Sequence, residues 1–134
     1  MLTSRNKQPL PGWRRLAFVS YVALMLMVFL LPMPISPPPQ ATQADKLGHF
    51  AIFAGFALLF WMNQQWSAWR TLLVSTVFAG AIELVQSTLP HRQADWADFL
   101  AGAAGAGLGI VLAPWILRQA GWWDVSGEES SEES

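Results

Sequence analysis

The stretch FLAGAAGAGLGIVLAPWIL, residues 99–117, contains no charged side chain and decides the fold class. Three more predominantly apolar runs cover residues 16–31, 47–62 and 72–89. An α-helix of about 20 apolar residues crosses a hydrocarbon core of about 30 Å, and each run is close to that length. The four runs therefore predict an all-α integral membrane bundle of four transmembrane helices.

The overall composition agrees with a membrane protein. Of the 134 residues, 53% are apolar and only 13% are charged, whereas soluble domains have about 25% charged residues. So few charges cannot cover the surface of a soluble protein of this size, but lipid tails solvate apolar side chains directly. The chain has no cysteine, which excludes a disulfide or a thiol site.

The runs divide the chain into three segments. We predict a basic cytoplasmic N-terminus over residues 1–15, a membrane domain over residues 16–119 and an acidic disordered tail over residues 120–134. The predicted helices cover about residues 16–34, 45–63, 69–89 and 95–118. Short connections favour antiparallel neighbours, and the proline-rich residues 32–39 predict an extended loop.

The basic residues predict the orientation. Six of the eight bases fall on one side of this topology: Arg5, Lys7, Arg14, Arg15, Arg70 and Arg118. Only Lys46 and Arg92 fall on the other side. By the positive-inside rule both termini are then cytoplasmic, and the tryptophans agree, since Trp96 alone marks the outer interface. A cleaved signal peptide is less consistent, because prolines separate the first apolar run from any cleavage site near Ala44.

This topology gathers the remaining polar residues at the extracytoplasmic end. The set comprises Asp45, Lys46, His49, Glu83, Gln86, Arg92, Asp95 and Asp98, with His91 in the same loop as Arg92. A charge inside the membrane costs about 2.5 to 3.5 kcal/mol on the lenient insertion scale, so such groups need partners. Lys46 and Arg92 are the bases expected to serve Glu83, Asp95 and Asp98.

Helical spacing predicts that the deeper members face inward. In the third helix one stripe contains Thr76, Gly80, Glu83 and Ser87, and in the fourth another contains Asp98, Gly102, Gly105 and Gly109. Small residues at this spacing allow close helix packing in lipid, the role we assign to the four glycines. Asp45 and His49 are one turn apart and can hydrogen-bond. Polar contacts between helices can serve packing alone, and this interpretation applies most to Lys46 and Asp95. The cost of burial instead favours a functional role for His49, Glu83, Arg92 and Asp98. His91 is expected to be incidental.

Together these polar segments resemble the VanZ-like family. The resemblance rests on Asp45-Lys46-Leu-Gly-His49-Phe50, on Glu83-Leu-Val-Gln86, and on Arg92-Gln-Ala-Asp95-Trp-Ala-Asp98 followed by a small-residue helix. Ala101-Gly102 stand where relatives often have an asparagine. The resemblance implies a multi-pass protein of the bacterial cytoplasmic (inner) membrane, in a family named for a member associated with resistance to the glycopeptide teicoplanin. It implies no particular reaction.

Three functions are compatible with these residues. The first is binding of an anionic cell-envelope or lipid-linked ligand, such as a peptidoglycan-precursor-type molecule, through Arg92 and Lys46. The second is an intramembrane enzyme with His49, Glu83 and Asp98 as catalytic candidates, acting by acid–base or metal-assisted chemistry. The third is a proton-coupled transporter using Glu83, although the polar groups crowd one end. No phosphate loop, zinc spacing or nucleic-acid motif is present, so we expect the bilayer as partner, no nucleic acid and no cofactor.

Overall fold

The computed structural model describes residues 12–31, 41–64, 66–89 and 95–119. These residues form four α-helices and, within that part of the chain, no strand. Helix α1 is Gly12–Leu30, α2 is Ala41–Gln64, α3 is Ala68–Gln86 and α4 is Trp96–Gln119. The prediction of an all-α bundle of four helices is confirmed. Most of the basic N-terminus, the proline-rich loop, His91, Arg92 and the acidic tail lie outside the described residues.

The helix ends differ from the sequence expectation by a few residues. Helix α1 begins at Gly12 and ends at Leu30, because the residue before Pro32 is disfavoured in the helical region. Helix α2 begins four residues early, at Ala41. Helix α3 ends at Gln86, and the following turn is closed by hydrogen bonds from Ser87 to Glu83 and from Leu89 to Gln86.

Contacts between helix ends define the topology. Helices α2 and α4 both begin at one end of the bundle, where Lys46 meets Asp98, and Phe29 near the end of α1 lies against His49. Gln86, at the end of α3, also reaches Phe29. Helices that follow one another in the chain are therefore antiparallel. We call this end, where α1 and α3 finish and α2 and α4 start, the polar end.

The α2–α4 pair makes the most extensive helix contact. It depends on glycine, because a Cβ on Gly105 would overlap the backbone carbonyl of Phe50, and one on Gly109 would overlap that of Ala54. At Gly102 an added Cβ would come within 3.0 Å of the Phe53 ring. The two backbones thus touch at Gly105 and Gly109, one turn of α4 apart, and this contact fixes the first turn of α4 beside the first turns of α2.

Aromatic side chains hold the remaining helices to α2. The Phe53 and Phe56 rings, both on α2, face Phe78 of α3 at centroid distances of 6.4 and 5.0 Å. Phe18 of α1 lies 5.8 Å from Phe56. The Tyr21 hydroxyl of α1 donates a 2.7 Å hydrogen bond to the carbonyl oxygen of Ile52. The core is therefore aromatic along α2.

Apolar side chains also cover the outside of the bundle. Each of the four helices is long and apolar enough to cross a membrane. Large apolar side chains exposed at the surface include Leu16, Val19, Leu24, Met27, Leu73, Val77, Leu84, Leu100 and Val111. Such a surface is unfavourable in water but suits lipid. The chain is accordingly a multi-pass membrane protein.

Candidate functional site

Three helices bring seven of the predicted site residues to the polar end. Helix α2 supplies Asp45, Lys46 and His49, α3 supplies Glu83 and Gln86, and the start of α4 supplies Asp95 and Asp98. The eighth predicted residue, Arg92, lies outside the described residues, three positions before Asp95 in the sequence. The site is thus assembled from residues up to 53 positions apart (Asp45 to Asp98).

His49 is enclosed on its face and on both ring edges. It is 1% exposed, and its ring stacks on Phe29 with centroids 4.5 Å apart. Nδ1 lies 3.0 Å from the backbone carbonyl oxygen of Asp45 and 3.8 Å from that residue's Oδ1. Nε2 lies 3.1 Å from Oε1 of Glu83. Each ring nitrogen of His49 therefore faces oxygen. We predicted a hydrogen bond between the side chains of Asp45 and His49. In the structure the backbone carbonyl oxygen of Asp45 is closer to Nδ1, at 3.0 Å, than the side-chain oxygen Oδ1 is.

Glu83 connects this histidine to the start of α4. Its Oε2 accepts a 3.2 Å hydrogen bond from the backbone N–H of Asp95. Its Oε1 is close to His49, yet Oε1 and Nε2 are both buried and make no hydrogen bond of good geometry. We expected Lys46 and Arg92 to pair with Glu83, Asp95 and Asp98. Lys46 does pair with Asp95 and Asp98, but within the described residues the ion-pair partner of Glu83 is His49.

Asp95 links all three helices of the site. Its Oδ1 accepts a 2.8 Å hydrogen bond from the N–H of Ala97 and so caps α4, as aspartate commonly does. Its Oδ2 lies 2.6 Å from the ammonium of Lys46, which also approaches Oδ1 of Asp98 at 3.3 Å. The Lys46 ammonium holds the pKa of the half-exposed Asp95 carboxyl below its usual range. These contacts give Asp95 a structural role besides any role toward a ligand.

Gln86 is engaged with the backbone of α1. Its side-chain amide donates a 3.1 Å hydrogen bond to the carbonyl oxygen of Phe29. That carbonyl lies in the last turn of α1, where no residue further along the helix can satisfy it. The contact ties α1 to α3 beside His49.

The described polar end carries more acid than base. Its carboxyl groups belong to Asp45, Glu83, Asp95 and Asp98, and its one ammonium is that of Lys46. Asp45, His49 and Asp98 each offer one ligand atom, and these atoms lie within 4.8 Å of one another. Carboxylate and imidazole groups at such distances are ligands suited to a divalent metal ion.

A cleft of about 420 Å³ adjoins the polar end between α3 and α4. Glu83, Ser87 and Asp95 form its polar part. Gly80, Leu84, Trp96 and Phe99 form the rest of its lining. The Glu83 carboxylate therefore lines the cleft and also pairs with His49.

The structure also shows buried polar groups that sequence reasoning missed. The predicted stripe of α3 is rotated, since Thr76 and Gly80 are half-buried and Ser87 is exposed. The buried face instead contains Thr71 and Ser75, whose hydroxyl groups have no hydrogen-bond partner among the described residues. Their four-residue spacing, continued by Ala79 and Glu83, is the sequence signal that could have identified this face. These hydroxyls extend the polar groups of α3 beyond the polar end.

Comparison with known proteins identifies the family. No significant match was found among curated proteins or among solved structures. The family described as VanZ/LLP1 matches residues 15–118, which is more than half of the chain and includes all four helices apart from their outermost residues. That range contains every residue of the polar end. The chain therefore belongs to the VanZ/LLP1 family.

Proposed function

We propose that this protein binds the anionic head group of an amphipathic, lipid-linked ligand at its polar end, on the extracytoplasmic side of a bacterial cytoplasmic membrane. The observation that carries the proposal is the cleft between α3 and α4, whose wall changes from apolar residues to Glu83, Ser87 and Asp95, with the Lys46 ammonium paired to Asp95. A ligand with a hydrocarbon chain and a phosphate or carboxylate head has the matching division.

The apolar part of the cleft suits a hydrocarbon chain. Gly80 and Leu84 line it at successive turns of α3, and four residues of helix correspond to a length of about 6 Å. Trp96 and Phe99 supply the opposite wall from α4, with their rings in edge-on contact at 6.0 Å. The two walls are close at Gly80, where an added Cβ would be in van der Waals contact with the Phe99 ring at 3.6 Å.

An anionic head group would bind to the basic residues beside the cleft, because the charged residues that line the cleft itself, Glu83 and Asp95, are acidic. Lys46 is 35% exposed in its side chain and is positioned by Asp95 and Asp98. Arg92, which lies outside the described residues and three positions before Asp95 in the sequence, is the second base that we expect at this end, and a guanidinium is the group best shaped for bidentate contact with phosphate or carboxylate. The excess of basic residues in the other predicted loops supports an extracytoplasmic position for this end.

Two related probes test the head-group part of the proposal. The purified chain in phosphatidylcholine nanodiscs is titrated with a long-chain polyprenyl phosphate and with the corresponding polyprenol. Wild-type protein should bind the phosphate at least about tenfold more tightly, and Arg92→Gln should remove most of that difference. The matched control is Arg70→Gln, which removes an exposed arginine from the first turn of α3, at the other end of the bundle. Equal affinity for both probes in the wild type would refute an anionic head-group site.

A second pair of variants tests the cleft. Leu84→Trp should fill the space between α3 and α4 and weaken binding of both probes. Val77→Trp adds the same side chain to an exposed position of α3 that does not line the cleft. If both tryptophan variants bind alike, the hydrocarbon chain does not occupy the cleft.

The shared position of Glu83 favours one further function, general acid–base catalysis on the bound ligand. The carboxylate belongs to the cleft wall, and Oε1 lies 3.1 Å from Nε2 of His49, a separation suited to proton exchange. Wild-type protein given a polyprenyl diphosphate should then catalyse attack of water on the terminal phosphorus, which breaks the phosphoanhydride bond and gives polyprenyl phosphate and inorganic phosphate. His49→Gln should abolish this release. Phosphate release that is absent in the wild type, or unchanged in the variant, would exclude this chemistry.

A further inference from the structure

The end of the bundle opposite the polar end carries only basic charge within the described residues. Helices α1 and α3 begin there and α2 and α4 finish there, and we call it the basic end. Its charged side chains are those of Arg14, Arg15, Arg70 and Arg118. The carboxylates that the structure describes all lie at the polar end, on Asp45, Glu83, Asp95 and Asp98. The electrostatic potential of the basic end therefore favours an anionic partner.

A cavity of about 360 Å³ opens at this end between α1 and α2. Its polar lining comes from Arg15 of α1 and from Asn63 and Gln64 of α2. Its apolar lining comes from Phe18 and Val19 of α1. Sites for small molecules typically enclose about 300 to 1,000 Å³ and combine apolar walls with a few polar groups. The size and the lining of this cavity therefore suit part of an amphipathic molecule.

The lining of the cavity changes from polar to apolar with depth. Helix α1 runs inward from the basic end, so Phe18 and Val19 lie about 4.5 to 6 Å deeper than Arg15. Asn63 and Gln64 are the last two residues of α2 and lie at the outer edge of the bundle. A phospholipid in a membrane has the same order, with its head group outside and its acyl chains inside.

Tryptophan side chains mark the level of the head groups at this end. Exposed tryptophans lie near the ends of α1, α3 and α4, at Trp13, Trp66, Trp69 and Trp115, and tryptophan prefers the membrane–water interface. Arg15 follows Trp13 by two residues, and the neighbouring Leu16 and Val19 are exposed like other lipid-facing residues. The cavity therefore opens toward lipid at the level of the head groups, which favours a lipid over a soluble anion.

Contacts within the bundle hold most of the lining in place. The Phe18 ring packs on α2 with centroid distances of 5.8 Å to Phe56 and 5.7 Å to Phe60. The side-chain amide of Asn63 donates a 2.8 Å hydrogen bond to the carbonyl oxygen of Leu59. Arg15 is exposed and has no carboxylate beside it among the described residues. Its guanidinium is therefore available for a phosphate oxygen, the acceptor that it suits best.

We propose that this cavity binds an anionic phospholipid of the surrounding leaflet, with the phosphate at Arg15 and one acyl chain along Phe18 and Val19. The exposed amide of Gln64 offers a donor and an acceptor to the hydroxyl groups of a phosphatidylglycerol head. The site goes beyond the proposed ligand binding at the polar end and does not depend on it, because it uses neither Arg92 nor the cleft between α3 and α4.

The test compares two lipids that differ only in their head groups. Delipidated chain in a neutral detergent is titrated with phosphatidylglycerol and with phosphatidylcholine of the same acyl chains, and retained lipid is counted by native mass spectrometry. Wild type should retain one phosphatidylglycerol per chain at least about tenfold more tightly, and Arg15→Gln should remove most of that preference. The matched control is Arg118→Gln, an exposed arginine of the same end that does not line the cavity. Its effect should be less than about threefold, because exposed charges away from the phosphate are screened.

A second pair of variants tests the acyl-chain part, with circular dichroism to confirm that each keeps its helices. Val19→Trp should fill the apolar part of the cavity and weaken both lipids, whereas Leu24→Trp, at an exposed position of α1 outside the cavity, should not.

Four results would overturn the proposal. They are equal retention of the two lipids by wild type, equal losses in the two arginine variants or in the two tryptophan variants, displacement of the lipid by inorganic phosphate in large excess, and selectivity that appears only after deletion of residues 120–134. The last result would mean that the chain's own acidic residues occupy the basic end. A failure to bind polyprenyl phosphate at the polar end leaves this test unaffected.

Discussion

Helix α4 and helix α1 both pack on α2, but by different means. Helix α4 brings its backbone against that of α2 through Gly105 and Gly109, leaving no room for even a methyl group. Helix α1 instead makes its contacts through side chains, with Phe18 against Phe56 and with the Tyr21 hydroxyl bonded to Ile52. Backbone contact is rigid, whereas side-chain contact can adjust. The residues that carry the polar end, Lys46 and Asp98, lie on the rigid pair.

The largest loss of stability should come from adding a side chain where the backbones of α2 and α4 touch. Gly105→Ala places a Cβ on the Phe50 carbonyl, which can move only with the α2 backbone. We expect a loss of about 3 kcal/mol in the free energy of unfolding, at the upper end of overpacking costs, or no folded protein. The measurement is denaturation in mixed micelles followed by circular dichroism. Gly107→Ala is the control, because nothing lies within 4 Å of its added Cβ. Equal stability of the two variants would contradict the contrast between the helices.

A smaller effect should come from the cap that begins α4. Asp95→Ala removes the acceptor of the Ala97 N–H and the partner of Lys46, and we expect a loss of about 1 kcal/mol. Asp95→Asn should recover most of it, since asparagine caps as well as aspartate. The same denaturation experiment compares the two. If asparagine is as destabilising as alanine, the ion pair and not the cap holds this end of α4.

A still smaller effect is expected where α1 meets α2. Tyr21→Phe deletes the 2.7 Å hydrogen bond to Ile52 and leaves the ring in place. Interhelical hydrogen bonds in membrane proteins average about 0.6 kcal/mol, which sets the expected loss. Thermal unfolding of the detergent-solubilised variant measures it. A loss as large as that of Gly105→Ala would show that the attachment of α1 is no more adjustable than that of α4.

The smallest predicted effect is a loss of folding stability at low pH. Because Lys46 lowers the pKa of Asp95, the pair contributes stability that is fully present above the unfolded aspartate value of about 3.9 and is lost as pH falls through the lower folded value. Wild type should therefore lose its advantage over Asp95→Asn only below about pH 4. Unfolding of both proteins between pH 3 and 6 measures this, with other titrating groups cancelling in the difference. An advantage that disappears already at pH 5 would mean that Asp95 is not the group responsible.

The sequence alone predicts where the helices lie in the chain, but not which helices pack against each other. Apolar runs such as residues 99–117 reveal a membrane helix because length and hydropathy are local properties. Which helices touch depends on surfaces that only meet in three dimensions. Thus the small residues of α4 signalled close packing, but not that the partner would be the Phe50 and Ala54 backbone of α2.

The same distinction holds within the site. Placing His49 and Glu83 at one end of the bundle required only helix lengths and alternating directions. The individual partners did not follow from that, because a rotation of one residue changes the facing side of a helix by about 100°. Lys46 pairs with Asp95 and Asp98 as expected, but Glu83 pairs with His49 and not with Lys46, and the buried Thr71 and Ser75 were not predicted.

The three contacts of Asp95 restrict which amino acids can replace it. Its side chain must be short enough to cap α4 and charged to hold Lys46, while its backbone N–H must remain available to Glu83. Asparagine keeps the cap but not the charge, glutamate keeps the charge at a poorer capping length, and proline removes the N–H. Although this residue is half-exposed, its substitution tolerance should resemble that of a core position. Substitutions at the polar end should be tolerated better at neighbouring positions such as the exposed Trp96, which lines the cleft.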